Sequence, residues 1–450
     1  MKKVDFLMVM EHKIRELEPL CLLKMELESR GYIAQIISLS DYRDTCVPKY
    51  EADVVLINGA NSLKTADFQL RKYVVYKKII SLNWEQVYSK RGEEQFSAWY
   101  DHPIKNECIQ LAWGEYYKTL LEKRCAISPQ NIFVGGHMAM DLCTPAFDQL
   151  YRSKNEISNQ YHIPQKKQWV LFISSLSLVM LSEEECLRNL GDMMSKEYLV
   201  TRRNCEIETQ KKLMEWLEEY LPNHEECIFL YRPHPAEAQS DLLIAMQKKF
   251  DNFQVVMDES INQWIKVCDR IFTWQSTSMA NIYFAKKCCG ILRPIEIDKV
   301  DDIRFYEDAT FITTKKQFED AMQGELQFPV SDQVIIRHYL FDEQVYAYQR
   351  VADICEKVFY SNIGVISPQT KEDIRQYQKK IEKKQSVLGR IKKILRSNQV
   401  IRIVYFRYRW LEGKVKHNMS TYDILTREHL RNNEVKDVMR RLQRCMERQE

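Results

Sequence analysis

The 450-residue chain has no glycine-rich phosphate loop: neither GxGxxG nor GxxxxGK[ST] occurs, which disfavours Rossmann dehydrogenases and P-loop nucleotidases. It has no run of roughly 18–20 uninterrupted apolar residues, the length that spans a bilayer. The opening MKKVDFLMVMEHKIRELEP carries two lysines and a short apolar run, but the charges from Glu11 onward leave no signal-peptide core and no cleavage site, so a cytoplasmic protein is expected. Thirteen cysteines are scattered without a CxxC pair or a Cys/His group at zinc-ligand spacing, which reads as reduced, packed thiols. No DxD-like acidic pair follows a strand, so a metal-dependent diphosphate site is unsupported. The expectation is a protein with no metal and no cofactor.

What is present is a large apolar fraction, 45%, enough for two or three domains with their own cores. The net charge of +3 conceals an asymmetry: between Lys371 and Lys416 there are fifteen Lys/Arg against four Asp/Glu. Within it, SVLGRIKKILRSNQVIRIVYFRYRW mixes aliphatic and aromatic residues with cations, the composition of a surface that lies against anionic lipid headgroups. A solvated helix or a protein contact is the alternative. A nucleic-acid role is not expected, because the aromatics sit in one tail without a binding motif.

Along the chain, short β-rich runs alternate with amphipathic helical ones. VDFLMVM, YIAQIIS, ADVVLING, KKIISLN, CIQLAWG and NIFVGG form one series; WVLFISS, CIFLYRP, FQVVMD, RIFTW and CCGILRP form a second, after a polar stretch from about 142 to 167. Such alternation predicts α/β architecture, two doubly wound parallel sheets facing a cleft: an N-terminal domain over 1–150, a C-terminal domain over 165–315, and a basic helical extension over 330–450 that returns to the first domain and touches membrane. In open α/β sheets ligands sit beyond the carboxyl ends of the strands. Those positions hold Glu11, Asn58, Trp84, Glu85, Ser174, Ser175, His234, Ser276 and Thr277.

In YRPHP, Pro233 and Pro235 stiffen the backbone on both sides of His234, so an imidazole able to donate to a phosphate oxygen is presented from a rigid turn, with the Arg232 fork beside it. A strand-end histidine satisfied by a carbonyl is the bland alternative. Forty residues on, Ser276, Thr277 and Ser278 start a segment whose first-turn amides would suit an anion. Together they describe a cradle for a nucleotide phosphate.

RPHP followed by INQWIKVCDRIFTWQSTSMANIYFAKKCCGILRP resembles the C-terminal half of bacterial GT-B transferases that build surface polysaccharides. His-Pro and Ser-Ser/Thr motifs of this kind occur in sialyl and Kdo transferases. An Arg-x-His-Pro motif with a later serine occurs in CDP-glycerol transferases of teichoic acid synthesis. EHKIRELEPLCLLKMELESRGY, AWGEYYKTLLEK and NIFVGGHMAMD are similar to segments of surface carbohydrate biosynthesis proteins, the last to a turn of the type Gly-Asn/His-Pro-x-x-Asp, so the resemblance spans roughly residues 1–310.

The resemblance implies a glycosyltransferase moving a sugar from a nucleotide donor, cytidine foremost, to a glycan or lipid-linked acceptor. Arg232, His234, Pro235, Ser276, Thr277, Ser278, Ser174 and Ser175 would bind the donor; Trp84, Glu115 and His137 would meet the acceptor. The chain departs from the pattern where sialyltransferase-like relatives carry a paired-acid-glycine motif, having NWEQ, and at Met138, where many have proline. Glu85 is the first choice of general base, beside an aromatic ring that could stack on a sugar, then Glu11, then Glu115. A CDP-alcohol phosphotransferase and a non-catalytic nucleotide-sugar-binding or scaffold protein are the rival readings.

Overall fold

The computed structural model describes residues 1–42, 45, 47–70, 72–191, 194–234, 237, 240–342, 344–384, 428–431 and 433–447. Residues 385–416 of the basic segment, and Pro235, lie outside the described residues. The described chain divides into two compact units, one of 1–87, 92–142 and 336–450, the other of 88–91 and 143–335.

The first unit is built on six parallel strands: β1 (Lys2–Met10), β2 (Ala34–Ser38), β3 (Tyr50–Ile57), β4 (Val74–Ser81), β5 (Ile109–Ala112) and β6 (Ile132–Val134). They lie in the order β2-β1-β3-β4-β5-β6, so strand order reverses between β1 and β3. The continuous burial of Phe6 to Met10, and of Val54 to Ile57 opposite them, reflects a sheet covered on both faces, which is why these strands read as unbroken apolar runs. Helix Lys13–Ser29 follows β1 and buries Leu20 to Leu23; it ends at Gly31, whose φ of +90° suits glycine. The helix Ala347–Tyr360 also belongs to this unit, burying Val351, Ala352, Cys355 and Val358, and helix Glu434–Glu447 packs on Lys13–Ser29.

The second unit has five parallel strands: β7 (Gln168–Ile173), β8 (Cys227–Arg232), β9 (Phe253–Val255), β10 (Arg270–Thr273) and β11 (Gly290–Ile291). Their order β11-β10-β7-β8-β9 reverses between β7 and β10. Phe172, Phe229, Tyr231, Phe272, Trp216 and Phe318 fill its core. The fold class is therefore α/β with two doubly wound parallel sheets, as the alternating sequence predicts.

Three details differ from expectation. The polar stretch 142–167 contains helix Lys154–Tyr161, started by a capping box in which Ser153 and Glu156 satisfy each other's amides, and it belongs to the second unit. Helix 208–221 begins at Lys196, capped by Ser195, because tertiary packing extends it through a charged turn without clean periodicity. The helix after the His-Pro turn begins only at Asp241, with Ser240 accepting from the Leu243 amide. The described cysteines are free thiols, all buried except Cys205 and Cys288. Among the described residues no helix is long and apolar enough to cross a membrane.

Candidate functional site

In the second unit, the last residue of β8 is Arg232, and the chain then turns through Pro233 and His234. The side chain that fixes this turn is Glu237, fully buried. Its carboxylate accepts from the Ser174 hydroxyl at 2.6 Å, the Tyr231 hydroxyl at 2.6 Å, the Gln210 amide at 3.1 Å and the His234 backbone N–H at 3.0 Å. The Glu237 amide donates back to the His234 carbonyl at 2.8 Å. Burial raises the Glu237 carboxyl above its ordinary range, opposed by the Ser174, Tyr231 and His234 bonds. A buried acid with four donors is a brace: it ties the ends of β7 and β8 and the helix Lys196–Tyr220 to one backbone position.

Arg232 braces the same edge from outside. Its guanidinium donates to the Asp258 carbonyl at 2.9 Å and the Glu259 carbonyl at 2.7 Å, holding the turn after β9, where Glu259 has a φ of +66°. Ser174 is buried and committed to Glu237 and to the Leu176 amide, while Ser175 is half-buried.

After β10, the expected anion-binding helix start is different in detail. The helix is only Met279–Phe284, and its approach is closed locally: the Ser278 amide donates to the Ser276 hydroxyl at 3.2 Å, the Met279 amide to the Ser276 carbonyl and the Ala280 amide to the Thr277 carbonyl. Those amides serve the turn itself. The Ser276 amide is held by the Tyr306 hydroxyl at 2.9 Å, and Thr277 is exposed.

In the first unit, polar side chains gather where strand order reverses. Glu11, just past β1, accepts from the Asn58 amide at 2.8 Å and the Gln69 amide at 2.9 Å, and Asn58 accepts the Trp84 N–H at 3.1 Å. Glu16, completely buried, takes the Glu11 amide at 2.7 Å and Arg15 at 3.1 Å; burial raises its carboxyl, opposed first by Arg15. Arg15 also reaches Glu85 at 3.0 Å, and the Glu85 side chain is 76% exposed. Three buried polar atoms here have no hydrogen-bond partner: Arg15 Nε, Trp84 Nε1 and Gln69 Oε1.

Trp84 is 3% exposed, so its ring packs in the core and is not an open platform for a sugar. His137 is buried and stacked on Trp113, centroids 3.9 Å apart; its Nδ1 accepts the Ala139 amide at 3.2 Å. Burial, with Arg15 second, lowers its pKa to about 3, so it is neutral. The preceding Gly136 has a φ of +84°, and a Cβ there would lie 2.7 Å from the Leu340 carbonyl, so only glycine fits. Asp141 accepts the Ala347 and Tyr348 amides at 3.0 and 2.9 Å, capping helix Ala347–Tyr360; burial pushes its carboxyl up to about 7. GGHMAMD therefore joins two elements of this unit. Glu115 is exposed in the first turn of helix Glu115–Cys125 and pairs with Lys118, a solvated position.

Sequence reasoning missed Glu237, Gln210, Arg15, Glu16 and Gln69. A lone acid in AEAQ or a charged residue in a helix carries no signal of burial until the topology surrounds it.

The chain matches no protein-family model and no curated protein. Among solved structures it is similar to the wall teichoic acid polymerase TagF, at 14% identity and a TM-score of 0.48, over 80% of this chain and 89% of that one. It is also similar to S. aureus MnaA with UDP, at 13% identity and 0.44, over 80% and 97% of the two chains. A third is the Methanocaldococcus jannaschii UDP-GlcNAc 2-epimerase with UDP-GlcNAc and UDP, at 13% and 0.44, over 79% and 99%.

Proposed function

We propose that the chain is a metal-independent glycosyltransferase of bacterial surface-polysaccharide synthesis, taking a sugar from a nucleotide donor, cytidine foremost, to a glycan or lipid-linked acceptor. The observation that carries this reading is the YRPHP turn: a histidine at the carboxyl end of β8, its backbone anchored by a buried four-donor carboxylate. Fixing a backbone so firmly around a half-buried histidine suits a group that must be preorganised for a ligand. The resemblance of RPHP and the later serines to cytidine-nucleotide transferases supports the same assignment.

In this reading His234 donates to the donor phosphate and stabilises the charge that grows on it as the bond to the sugar breaks. Arg232 holds the turn through the 258–259 carbonyls. Ser175, Ser276, Thr277 and Ser278 line the same strand ends, and Pro235 completes the turn in sequence. The acceptor hydroxyl loses its proton to a side chain of the first unit, where Glu85 and Glu11 are the carboxylates the sequence offers. The basic segment 371–416 meets an anionic membrane surface, close to lipid-linked acceptors.

The test is calorimetric titration of the full chain with CMP, CDP and UDP. Cytidine-nucleotide binding that H234A weakens at least tenfold, about 1.4 kcal/mol, is expected. Absence of nucleotide binding, or equal binding by the variant, would overturn the reading. Product analysis separates sugar transfer from transfer of a phospho-alcohol.

A further inference from the structure

His12 stands directly after β1, at the N-cap of helix Lys13–Ser29, where a polar side chain ordinarily accepts a first-turn amide. His12 makes no such bond. The Lys13 amide is taken instead by the carboxylate of Glu428, 415 positions later in the chain. The segment bearing Glu428 is docked by several bonds: the Ser38 hydroxyl donates to the Glu428 carbonyl at 2.6 Å, Lys13 Nζ to the His429 carbonyl at 2.9 Å, and the Leu430 amide to Asp41 at 3.3 Å. Helix Glu434–Glu447 behind it is tied to Lys13–Ser29 through Lys13–Glu434 and Arg441–Glu18 pairs at 3.2 and 3.3 Å.

The imidazole is left between two carboxylates. Its Nδ1 faces Glu428 at 3.9 Å and its Nε2 faces Glu11 at 3.9 Å; the His12 side chain is 45% exposed, that of Glu428 only 4%. Glu11 is itself held by Asn58 and Gln69. The carboxylate expected to serve as base, Glu85, is the most exposed acid of the group and is paired with Arg15.

We propose that His12 is the group that takes the acceptor's proton, with buried Glu428 as its positioning residue. This rests on the transferase reading. Glu428 and Glu11 each face a ring nitrogen at 3.9 Å, beyond hydrogen-bond distance, so they act on the imidazole through charge, and the 45% exposed ring offers Nε2 to the acceptor. The acceptor hydroxyl gives its proton to Nε2, and its oxygen forms the new bond to the transferred carbon. The bond from that carbon to the leaving phosphate oxygen breaks, and its electrons stay on the nucleotide. Glu11 then faces the imidazolium. The charged groups around the ring are Glu428, Arg15, Glu11 and Glu16. Glu428 raises the His12 pKa most; burial and Arg15 lower it, Glu11 and Glu16 raise it, and the outcome is a raised value. The tail is thereby part of the site.

The experiment uses the full chain with H12Q and E428Q, the latter keeping an oxygen for the Lys13 amide. H12Q is expected to reduce kcat about 100-fold or more with cytidine-nucleotide binding unchanged. E428Q is expected to move the acidic limb of kcat/KM to lower pH, and the NMR titration of the His12 ring with it. Activity of H12Q within twofold of wild type, or an acidic limb unmoved in E428Q, would overturn the proposal. Should wild type bind no nucleotide, the transferase reading fails, while the His12 titration in E428Q still decides the Glu428 contact: an unmoved ring pKa refutes it.

Discussion

The carboxyl edges of the two sheets are braced differently, one around a single buried acid and the other around several acids. In the second unit one buried acid, Glu237, has four donors within 3.1 Å, while Trp274 Nε1, just past β10, and Arg293 Nε and Nη2, just past β11, are buried without hydrogen-bond partners. In the first, no single acid gathers the edge: His12 sits 3.9 Å from each of two acids, and Arg15 Nε, Trp84 Nε1 and Gln69 Oε1 are buried without hydrogen-bond partners. A satisfied network rigidifies; an unsatisfied one stores free energy that a ligand's hydroxyls can release.

The comparison breaks first at Glu237. E237A leaves Ser174, Tyr231, Gln210 and the His234 amide without their acceptor and is expected to cost about 3 kcal/mol in denaturant unfolding, whereas E11A, at a side chain 22% exposed with two amide donors in place of four, costs about 1 kcal/mol. Equal losses would mean that the two edges are braced alike.

The next effect is one of pH. His137 is held neutral with a pKa near 3, so between pH 6.5 and 3 the unfolded chain binds a proton that the folded chain refuses. This contribution is complete above pH 6.5 and falls by about 2 kcal/mol at pH 5. Asp141, four residues on, works in reverse: its carboxyl near pH 7 keeps a proton in the folded state that the unfolded chain has released, so its contribution is lost as pH rises from about 4 to 7. Comparing wild type with H137Q from pH 7.5 to 5 isolates the first of these: the stability difference between them should shrink by about 2 kcal/mol, and a constant difference would show that His137 protonates freely.

These contrasts explain what was readable beforehand. Strand positions were legible because both sheets are buried on both faces, leaving apolar runs such as Phe6–Met10 and Trp169–Ile173. The strand ends that carry Glu11, Trp84, Ser174, His234 and Ser276 followed from the same reading. Burial was not legible: Trp84 read as a ring able to stack on a sugar and is core, while Glu16 and Glu237 gave no signal in the sequence and are enclosed. Periodicity reports which face of an element is apolar, not which polar residue a distant segment will cover. Glu428 is the extreme case, reaching the end of β1 from the far end of the chain.

The smallest effect sharpens the role of Arg232. Its planar fork spans the Asp258 and Glu259 carbonyls, and a lysine, as a point charge, can serve only one well. R232K is therefore expected to weaken cytidine-nucleotide binding about fivefold, near 1 kcal/mol, by loosening the turn after β9 while keeping the charge. Salt dependence distinguishes this from a direct phosphate contact. If Arg232 acts through the turn, wild type and R232K lose affinity in parallel as salt rises. If it grips phosphate itself, the bidentate pair lost in R232K costs more than tenfold, and R232Q flattens the salt dependence. The first outcome keeps the second unit's edge a braced scaffold with His234 as its contact; the second makes Arg232 a ligand in its own right.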